Sequence, residues 1–280
     1  MAKPLLSVSV DIDSLDHYLA IYGQAGAGEC GDLVARTWEL GVSRFLGLFE
    51  SLGVPATLFV VGRDLENDVA SGIAEQAVRQ GHELANHSWS HPYDLTRMDL
   101  GGMTEEVEKA HDIIERKTGF IAKGFRAPGY NTNRKLMGVL GDRGYSWDAS
   151  PLPSWSYLAI KYAVMTGMFL KGRSSASILG NPLMGLGKRQ PWKQGEMVRV
   201  PCSVTSALRI PVIGTAITSL PERMVAHMVS DIQKQDIVSL EFHAVDLMDI
   251  HKDELPAELS VQKDLGIPLT KKYLQISRTI

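Results

Sequence analysis

Short apolar runs alternate along this chain with longer segments in which apolar residues recur at helical spacing. Runs rich in Val, Ile, Leu and Phe predict seven strands, at 5–12, 56–61, 82–86, 121–126, 145–149, 197–201 and 237–243. The segments between them predict helices at 32–52, 64–80, 104–118, 132–142 and 221–235. Strands that alternate with helices usually form a parallel sheet, so the pattern predicts an α/β fold, either one (β/α) barrel or one doubly wound sheet.

The segment 150–195 breaks this alternation. It contains four prolines, an apolar helix-like stretch at 157–170, and a segment rich in Gly, Ser and basic residues at 171–193. Connections of this length in a compact domain usually carry a function. We therefore predict one domain over residues 1–280 with an insertion at 150–195, which serves either as a lid or as an interfacial helix on lipid.

Composition narrows the class of protein. The 280 residues are 44% hydrophobic and 22% charged, as in a soluble globular domain with a full-sized core. A net charge of -3 provides no positive field for a phosphate polymer, so we expect no nucleic-acid partner. Cys30 and Cys202 are too few for a disulfide framework or a Cys-rich zinc site, and they indicate a reducing compartment.

The first residues lack the apolar run of a secretory leader, and no stretch reaches the roughly eighteen apolar residues of a membrane span. We therefore expect a cytoplasmic protein, either free or peripheral to the inner face of the membrane. The apolar and basic residues of 157–187 would make the peripheral contact.

Ionisable residues stand at the carboxyl ends of five of the seven predicted strands. They are Asp11 and Asp13 on the first strand, His87 and His91 after the third, Arg126 on the fourth, Asp148 on the fifth and His243 on the seventh. Residues i and i+2 of a strand point to the same side, so Asp11 and Asp13 share one small space. We expect His87 and His91 to project from one face of a helical turn. Because active sites of barrels lie at the carboxyl ends of the strands, we predict the active site here.

These residue types indicate a hydrolytic metal centre. One Asp and two neutral His around a divalent cation leave coordination positions open, and zinc is the first candidate for the ion. Such an ion lowers the pKa of its water toward about 7 and polarises a carbonyl oxygen, which favours hydrolysis. A second carboxylate can accept a proton from that water while a separate His protonates the leaving group, and Asp11 and His243 suit these roles.

Five short motifs follow one another along the chain. They are Val-Asp-Ile-Asp ending at Asp13, His-Ser-Trp-Ser-His at 87–91, Arg-Ala-Pro-Gly-Tyr at 126–130, Asp148 with Trp155 downstream, and Leu-Glu-Phe-His at 240–243. In order and spacing they resemble the motifs of the polysaccharide deacetylases, the NodB-homology proteins of carbohydrate esterase family 4. The resemblance implies a distorted (β/α)7-type barrel that uses one divalent ion to remove an N-acyl group, usually acetyl, from an amino sugar. Zinc is expected, with cobalt, nickel or manganese as alternatives.

The resemblance also implies roles for the residues around the ion. Asp11 would be the base, and Asp13 would bind the metal together with His87 and His91. Arg126 would pair with Asp11 and orient it.

Further roles concern the leaving group and the substrate. The backbone N–H of Tyr130 would help to hold the oxyanion. Asp148 would pair with His243 and keep the imidazole protonated until it donates to the departing amine, because a neighbouring carboxylate raises the pKa of a histidine. Trp155 and Leu240 would line the groove for the acetyl group and the sugar.

One motif departs from the family pattern. Most members have two adjacent aspartates followed by Gly, whereas here Ile12 separates the two and Ser14 follows. A subset of the family has the spaced form, and strand alternation keeps both carboxylates on one face.

The motifs indicate the reaction more closely than the substrate, which in the family includes oligosaccharides, peptidoglycan and lipid-linked sugars. One alternative is a deformylase or deacetylase of a polyprenyl-phosphate-linked amino sugar at the inner membrane face, which the stretch 157–193 favours. A second alternative is a catalytically silent, carbohydrate-binding member. The joint presence of a base, three metal ligands and an acid argues against the silent form.

Overall fold

In the part of the chain that the structure describes, eight strands form one curled sheet. The computed structural model describes residues 3–22, 30–170, 178 and 180–280, without the side chains of Cys30 and Met168. The strands are β1 (Leu5–Ile12), β2 (Thr57–Val60), β3 (Glu83–Asn86), β4 (Gly124–Phe125), β5 (Trp147–Asp148), β6 (Trp192–Gln194), β7 (Met197–Arg199) and β8 (Ile237–His243). Their order is β6-β7-β5-β4-β3-β2-β1-β8. All seven predicted strands are present in parallel pairs, and β6, which the pattern did not predict, adds an antiparallel edge to β7.

Helices lie between the strands, as the alternation predicts. The α-helices of the described residues are α1 (Leu15–Ile21), α2 (Cys30–Arg36), α3 (Ser43–Leu52), α4 (Asp68–Arg79), α5 (Leu100–Thr118), α6 (Arg134–Asp142), α7 (Trp155–Leu170), α8 (Gly214–Ser219), α9 (Glu222–Ile232) and α10 (Leu269–Thr279). A π-helical segment, Thr37–Val42, joins α2 to α3, so the helix predicted over 32–52 consists of three segments. Within the described ranges, each helix is too short or too polar to cross a lipid bilayer.

The two faces of the sheet differ in chemistry. On the outer face, Val10 of β1 and Leu240 and Phe242 of β8 pack with Trp38 and Phe45 in one hydrophobic core. The ring centres of Phe45 and Phe242 are 5.6 Å apart. Because side chains alternate across a strand, the residues between these apolar positions face the inside of the curl. The strands that build the core therefore also carry the polar side chains of the concave face.

The strand register brings the ends of the strands together. Asp11 is paired with His243 of β8. Asn86 of β3 is paired with Phe125 of β4, and Asp148 of β5 lies between Phe125 and Arg199 of β7. The carboxyl ends of the parallel strands thus meet at one rim, where the sequence places its ionisable residues.

The chain that follows β7 runs beside β8 and narrows the opening of the curl. The Ser203 N–H donates to the Ser239 carbonyl at 2.9 Å, and Ile213 forms a parallel bridge with Glu241. The result is a curled half-barrel surrounded by helices, which confirms the predicted α/β barrel class.

Candidate active site

Three side chains converge at the carboxyl ends of β1 and β3. Asp13 Oδ1 lies 3.3 Å from His87 Nε2 and 3.2 Å from His91 Nε2. All three residues are buried, and their potential ligand atoms lie within 4.8 Å of one another. The structure therefore brings together the three residues that were predicted to bind a metal.

An irregular loop, rather than the predicted helical turn, carries His87 and His91. Ser88 and His91 have positive φ angles of 68° and 56°, a region that residues other than glycine seldom adopt. Asn86 Oδ1 accepts a hydrogen bond from the Ser88 N–H at 2.7 Å, and Ser88 Oγ accepts one from the His91 N–H at 3.1 Å. These bonds hold the loop in a conformation that directs both imidazoles toward Asp13. The helical turn was a wrong prediction, although the two side chains do meet.

Hydrogen bonding selects the tautomer of His87. Its Nδ1 lies 2.7 Å from the Arg126 carbonyl oxygen, which can only accept, so Nδ1 carries the proton and Nε2 keeps a lone pair. Burial alone lowers the pKa of His87, but the carboxylates of Asp11 and Asp13 outweigh burial and raise it. The pocket around Nε2 is therefore rich in negative charge, as a cation site requires.

Two rings hold His91 in place. The ring centre of His17 lies 4.7 Å from that of His91, and the ring centre of Tyr93 lies 4.8 Å away, both edge-on. Burial lowers the pKa of His17 to about 4, so its ring is neutral near pH 7 and adds no charge beside His91. His17, which belongs to no motif, is thus part of the wall of the site.

The three ligand residues fit a divalent cation. Asp13 Oδ1 is buried, and the His87 and His91 Nε2 atoms face it at 3.3 Å and 3.2 Å, so a cation between the three atoms would compensate its charge. Burial favours the protonated acid, but His91 and His87 hold the pKa of Asp13 well below its ordinary value, so the carboxylate is ionised. One carboxylate and two imidazoles suit zinc and neighbouring transition metals better than calcium or magnesium.

A second group of possible ligands, Asp11, Glu241 and His243, also lies within 4.8 Å. It is the poorer cation site, because the guanidinium of Arg126 already pairs with Asp11. A positive charge at this position opposes the binding of another cation.

Arg126 fixes the orientation of Asp11, as the resemblance implies. The guanidinium is buried and pairs with Asp11 Oδ1. Its Nη2 also donates to Ser9 Oγ at 3.1 Å, and its Nε donates to the Ala149 carbonyl at 3.0 Å. Asp11 is thereby held with Oδ2 3.8 Å from His87 Nε2, next to the predicted ligands.

Asp148 does not pair with His243, so this part of the prediction is wrong. Asp148 Oδ2 lies 2.7 Å from Arg199 Nε, and the Ser150 hydroxyl donates to Asp148 Oδ1. The reason is the register of the sheet, in which β5 lies directly beside β7 and places Asp148 opposite Arg199. His243 stands on β8, at the other end of the strand order.

Glu241 takes the place beside His243. Glu241 Oε1 lies 3.2 Å from His243 Nδ1, and His243 Nε2 lies 3.8 Å from Asp13 Oδ2. Burial alone lowers the pKa of His243, but the carboxylates of Glu241 and Asp13 outweigh burial and raise it to about 9. Burial raises the pKa of Glu241 to about 7, against the attraction of His243. The imidazole is therefore protonated near neutral pH and presents Nε2–H toward the predicted metal ligands.

Glu241 was not among the predicted site residues, although strand alternation identifies it. The alternation that places Asp11 and Asp13 on one face also places Glu241 and His243 on one face. By the same rule Leu240 faces away, and it lies in the outer core beside Phe242. The prediction that Leu240 lines the substrate groove is therefore wrong.

Two further residues were predicted to contact the substrate. The Tyr130 N–H donates to the Ala127 carbonyl at 2.9 Å, so it is already engaged and its predicted role as an oxyanion donor is not supported. Trp155 is the first residue of α7 and is 44% exposed. Its contact with substrate stays a prediction.

Known proteins resemble this chain in sequence. A family model described as polysaccharide deacetylase matches residues 32–147, a range that contains His87, His91 and Arg126. A peptidoglycan deacetylase of Helicobacter pylori is 28% identical over 151 residues, which are 54% of this chain and 50% of that protein. A bifunctional xylanase/deacetylase of Pseudobutyrivibrio xylanivorans is 31% identical over 128 residues, which are 42% of this chain and 21% of that protein. This chain thus spans at most half the length of these two relatives.

The fold has a counterpart among solved structures. A Mycobacterium smegmatis protein crystallised as a candidate polysaccharide deacetylase matches with a TM-score of 0.59 at 18% identity. The match covers 86% of this chain and 76% of that chain. At this identity the likeness shows the shared fold.

Proposed function

The chain belongs to the polysaccharide deacetylase family, and from this premise we propose that it is a metal-dependent hydrolase that removes an N-acyl group, usually acetyl, from an amino sugar. One observation carries the proposal. Asp13, His87 and His91 converge in a buried cluster, flanked by the Asp11–Arg126 pair on one side and by His243 on the other. A structural metal site or a simple sugar-binding surface has no need for a separate base and acid beside its ligands.

Different residues would bind the ion and accept the proton of the attacking water. Asp13, His87 and His91 would hold the ion, which when bound acts as a Lewis acid and makes water a better nucleophile near neutral pH. Asp11, held by Arg126, accepts the proton that the attacking water loses.

His243 serves the leaving group. Its Nδ1 lies 3.2 Å from Glu241 Oε1, and its Nε2, 3.8 Å from Asp13 Oδ2, is directed toward the ligand cluster. From there it donates its proton to the departing amine nitrogen, which must be protonated before the amide bond can break cleanly. Glu241 acts through His243 and is a positioning residue.

The relatives support the reaction class. Their names include peptidoglycan deacetylase and xylanase/deacetylase, both acting on acylated glycans. Within this class the substrate is either an oligosaccharide or a lipid-linked amino sugar. The exposed apolar side chains of α7 favour the lipid-linked sugar, and the protein would then lie in the cytoplasm at the inner membrane face.

The proposal is tested by metal content and acyl release. The purified protein, loaded with zinc or cobalt, is screened for acetate and formate release from chitooligosaccharides, peptidoglycan fragments and lipid-linked amino sugars. We expect about one ion per chain and release from at least one substrate. Asp11→Asn should keep the ion and lose turnover by about 100-fold or more.

Two results would contradict the proposal. A wild-type protein that binds no divalent ion cannot use the metal mechanism. Release that persists unchanged in Asp11→Asn would show that Asp11 is not the base.

A further inference from the structure

Helix α7 exposes large apolar side chains that nothing in the described structure covers. Its residues Ile160, Tyr162, Phe169 and Leu170, together with Leu183 and Leu186 of the following segment, are between 61% and 79% exposed. Large apolar side chains usually lie singly on the surface of a soluble protein, and a concentration of them marks an interaction site.

The composition of α7 differs from that of an ordinary surface helix. Such a helix has a polar face toward water, whereas Tyr157–Leu170 contains one charged residue, Lys161. The helix has 16 residues, fewer than the roughly 20 that a transmembrane helix needs. A helix that is apolar on most sides needs its surface covered, and one of this length cannot achieve this by crossing a bilayer.

The charges around α7 have one sign. Residues 149–195 include no Asp or Glu, although the chain as a whole has a net charge of -3. The six basic residues of this range are Lys161, Lys171, Arg173, Lys188, Arg189 and Lys193. This charge attracts an anionic surface, and it opposes a symmetric contact in which a second copy would present the same cations.

We propose that α7 and the residues 183–193 form a docking surface for an anionic lipid bilayer. The exposed apolar side chains enter the boundary between head groups and acyl chains, while the basic side chains meet anionic head groups. Both contributions strengthen binding, because membrane affinity rises with the apolar area buried and with the attraction to anionic lipids.

Hydrogen bonds connect the docking surface to the rest of the protein. Ser154 Oγ, just before α7, donates to the Arg209 carbonyl at 2.6 Å. Arg209 Nη1 in turn donates to the carbonyls of Gly185 and Gly187, at 3.0 Å and 2.8 Å. The beginning of α7 and the loop after Leu183 are thus held by one arginine, and a bilayer on this surface has a defined position relative to the rest of the fold.

The docking surface also adjoins the candidate active site. Tyr157 of α7 packs edge-on against Tyr130, with ring centres 5.8 Å apart. Tyr130 stands four residues after Arg126, the partner of Asp11. Resting on the proposed function, this proximity assigns the substrate class: an N-acylated amino sugar carried by a membrane lipid.

Vesicle co-sedimentation of the full-length, metal-loaded protein tests the docking surface without any substrate. We expect binding to vesicles of phosphatidylcholine and phosphatidylglycerol in equal parts, weaker binding in high salt, and little binding to phosphatidylcholine alone. The double variants Phe169→Ser/Leu170→Ser and Lys188→Glu/Arg189→Glu should each weaken binding by about tenfold or more.

Matched variants elsewhere on the surface serve as controls. Leu100→Ser/Ile121→Ser replaces two exposed apolar residues, and Lys263→Glu/Lys271→Glu reverses two exposed charges. Both should bind vesicles like the wild type, and circular dichroism checks that all variants are folded.

Three outcomes would overturn the docking surface. The first is that the wild type does not bind the anionic vesicles. The second is that the two docking-surface variants bind as well as the controls. The third is that the protein binds no vesicles but self-associates, and that Phe169→Ser/Leu170→Ser abolishes this self-association. Because binding is measured without turnover, its failure is distinct from failure of the proposed function. Equal kcat/KM for soluble and lipid-linked forms of one sugar would overturn the substrate class alone.

Discussion

Glu241 Oε1 lies 3.2 Å from His243 Nδ1, and both residues stand on the concave face of β8, two positions apart. The side chain of Glu241 is fully buried, so its charge depends on the imidazole for compensation. The strand itself sets the relative position of the two groups. The pair therefore places a carboxylate beside His243, which favours the protonated imidazole.

Replacing Glu241 tests this relationship. Glu241→Gln keeps the size of the side chain but removes the carboxylate that raises the pKa of His243 to about 9. Activity needs the protonated imidazole and is lost as pH rises through its pKa, so we expect the alkaline limb of the pH–rate profile to move to lower pH. We expect kcat/KM near pH 8 to fall by about 10- to 100-fold.

The control for this variant is Glu258→Gln, an exposed glutamate in the 3-10 helix Ala257–Val261. Its profile should match the wild type. Metal content should be unchanged in both variants, because Glu241 is not among the three ligands of the preferred site. An alkaline limb that does not move in Glu241→Gln would refute the role of Glu241.

Asp148 provides the contrasting case. It pairs with Arg199, so Asp148→Asn leaves a buried guanidinium facing a neutral amide. We expect the free energy of unfolding to fall by about 1 to 3 kcal/mol, as for other buried charged groups that lose a partner. The alkaline limb of the pH–rate profile should stay where it is in the wild type.

Urea denaturation measures the first effect and steady-state kinetics the second. Asp142→Asn, at the exposed end of α6, is the matched control for stability. If Asp148→Asn moved the alkaline limb as far as Glu241→Gln, Asp148 would be acting on His243 after all.

The sequence predicted the strands and the convergence of the ligands for one physical reason. The carboxyl ends of parallel strands lie at the same rim of the sheet, so polar residues that follow separate strands lie near one another there. Asp13 and His91 are far apart along the chain, yet the order of the strands brings their segments together, and the hydrogen-bonded loop after β3 completes the approach to 3.2 Å.

The errors have physical reasons as well. The partner of Asp148 depends on which strand lies beside β5, and the sequence pattern does not specify that neighbour. The positive φ angles of Ser88 and His91 are maintained by local hydrogen bonds, which an i, i+4 spacing does not reveal. Strand alternation places Leu240 in the outer core and Glu241 on the concave face, so the predicted groove contact of Leu240 is wrong.

Loss of single ligands gives a direct test of the metal site. His87→Ala and His91→Ala each remove one of three protein ligands, so we expect the affinity for zinc to fall by about 100-fold or more. Metal analysis after dialysis against a weak chelator measures the loss. His82→Ala is the matched control, because His82 is also buried but accepts a hydrogen bond from the Ala56 N–H at 3.1 Å. Equal zinc retention by all three variants would exclude the proposed ligands.

Asp64 links the stability of the protein to pH. It is buried and accepts a hydrogen bond from the hydroxyl of Ser14, the residue that follows Asp13. Burial raises the pKa of Asp64 to about 7, and the Ser14 hydrogen bond opposes this shift only in part. The folded protein holds this proton more tightly than the unfolded chain, so the bound proton stabilises the folded state. This contribution to the free energy of unfolding is complete below the ordinary pKa of an aspartate. It is lost as pH rises through about 7.

Asp64→Asn removes this titration while keeping the shape of the side chain. From pH 5 to pH 8 we expect the free energy of unfolding of the wild type to fall relative to the variant by about 2 to 3 kcal/mol, because about two pH units separate pH 5 from the pKa of about 7 and each corresponds to about 1.4 kcal/mol. Urea denaturation at several pH values in this window measures the difference, with Asp142→Asn as the exposed control. Parallel pH dependence in the wild type and Asp64→Asn would show that Asp64 is ionised in the folded protein without cost. In that case a neutral Asp64 carboxyl group, hydrogen-bonded to Ser14, would contribute nothing to the stability of the end of β1.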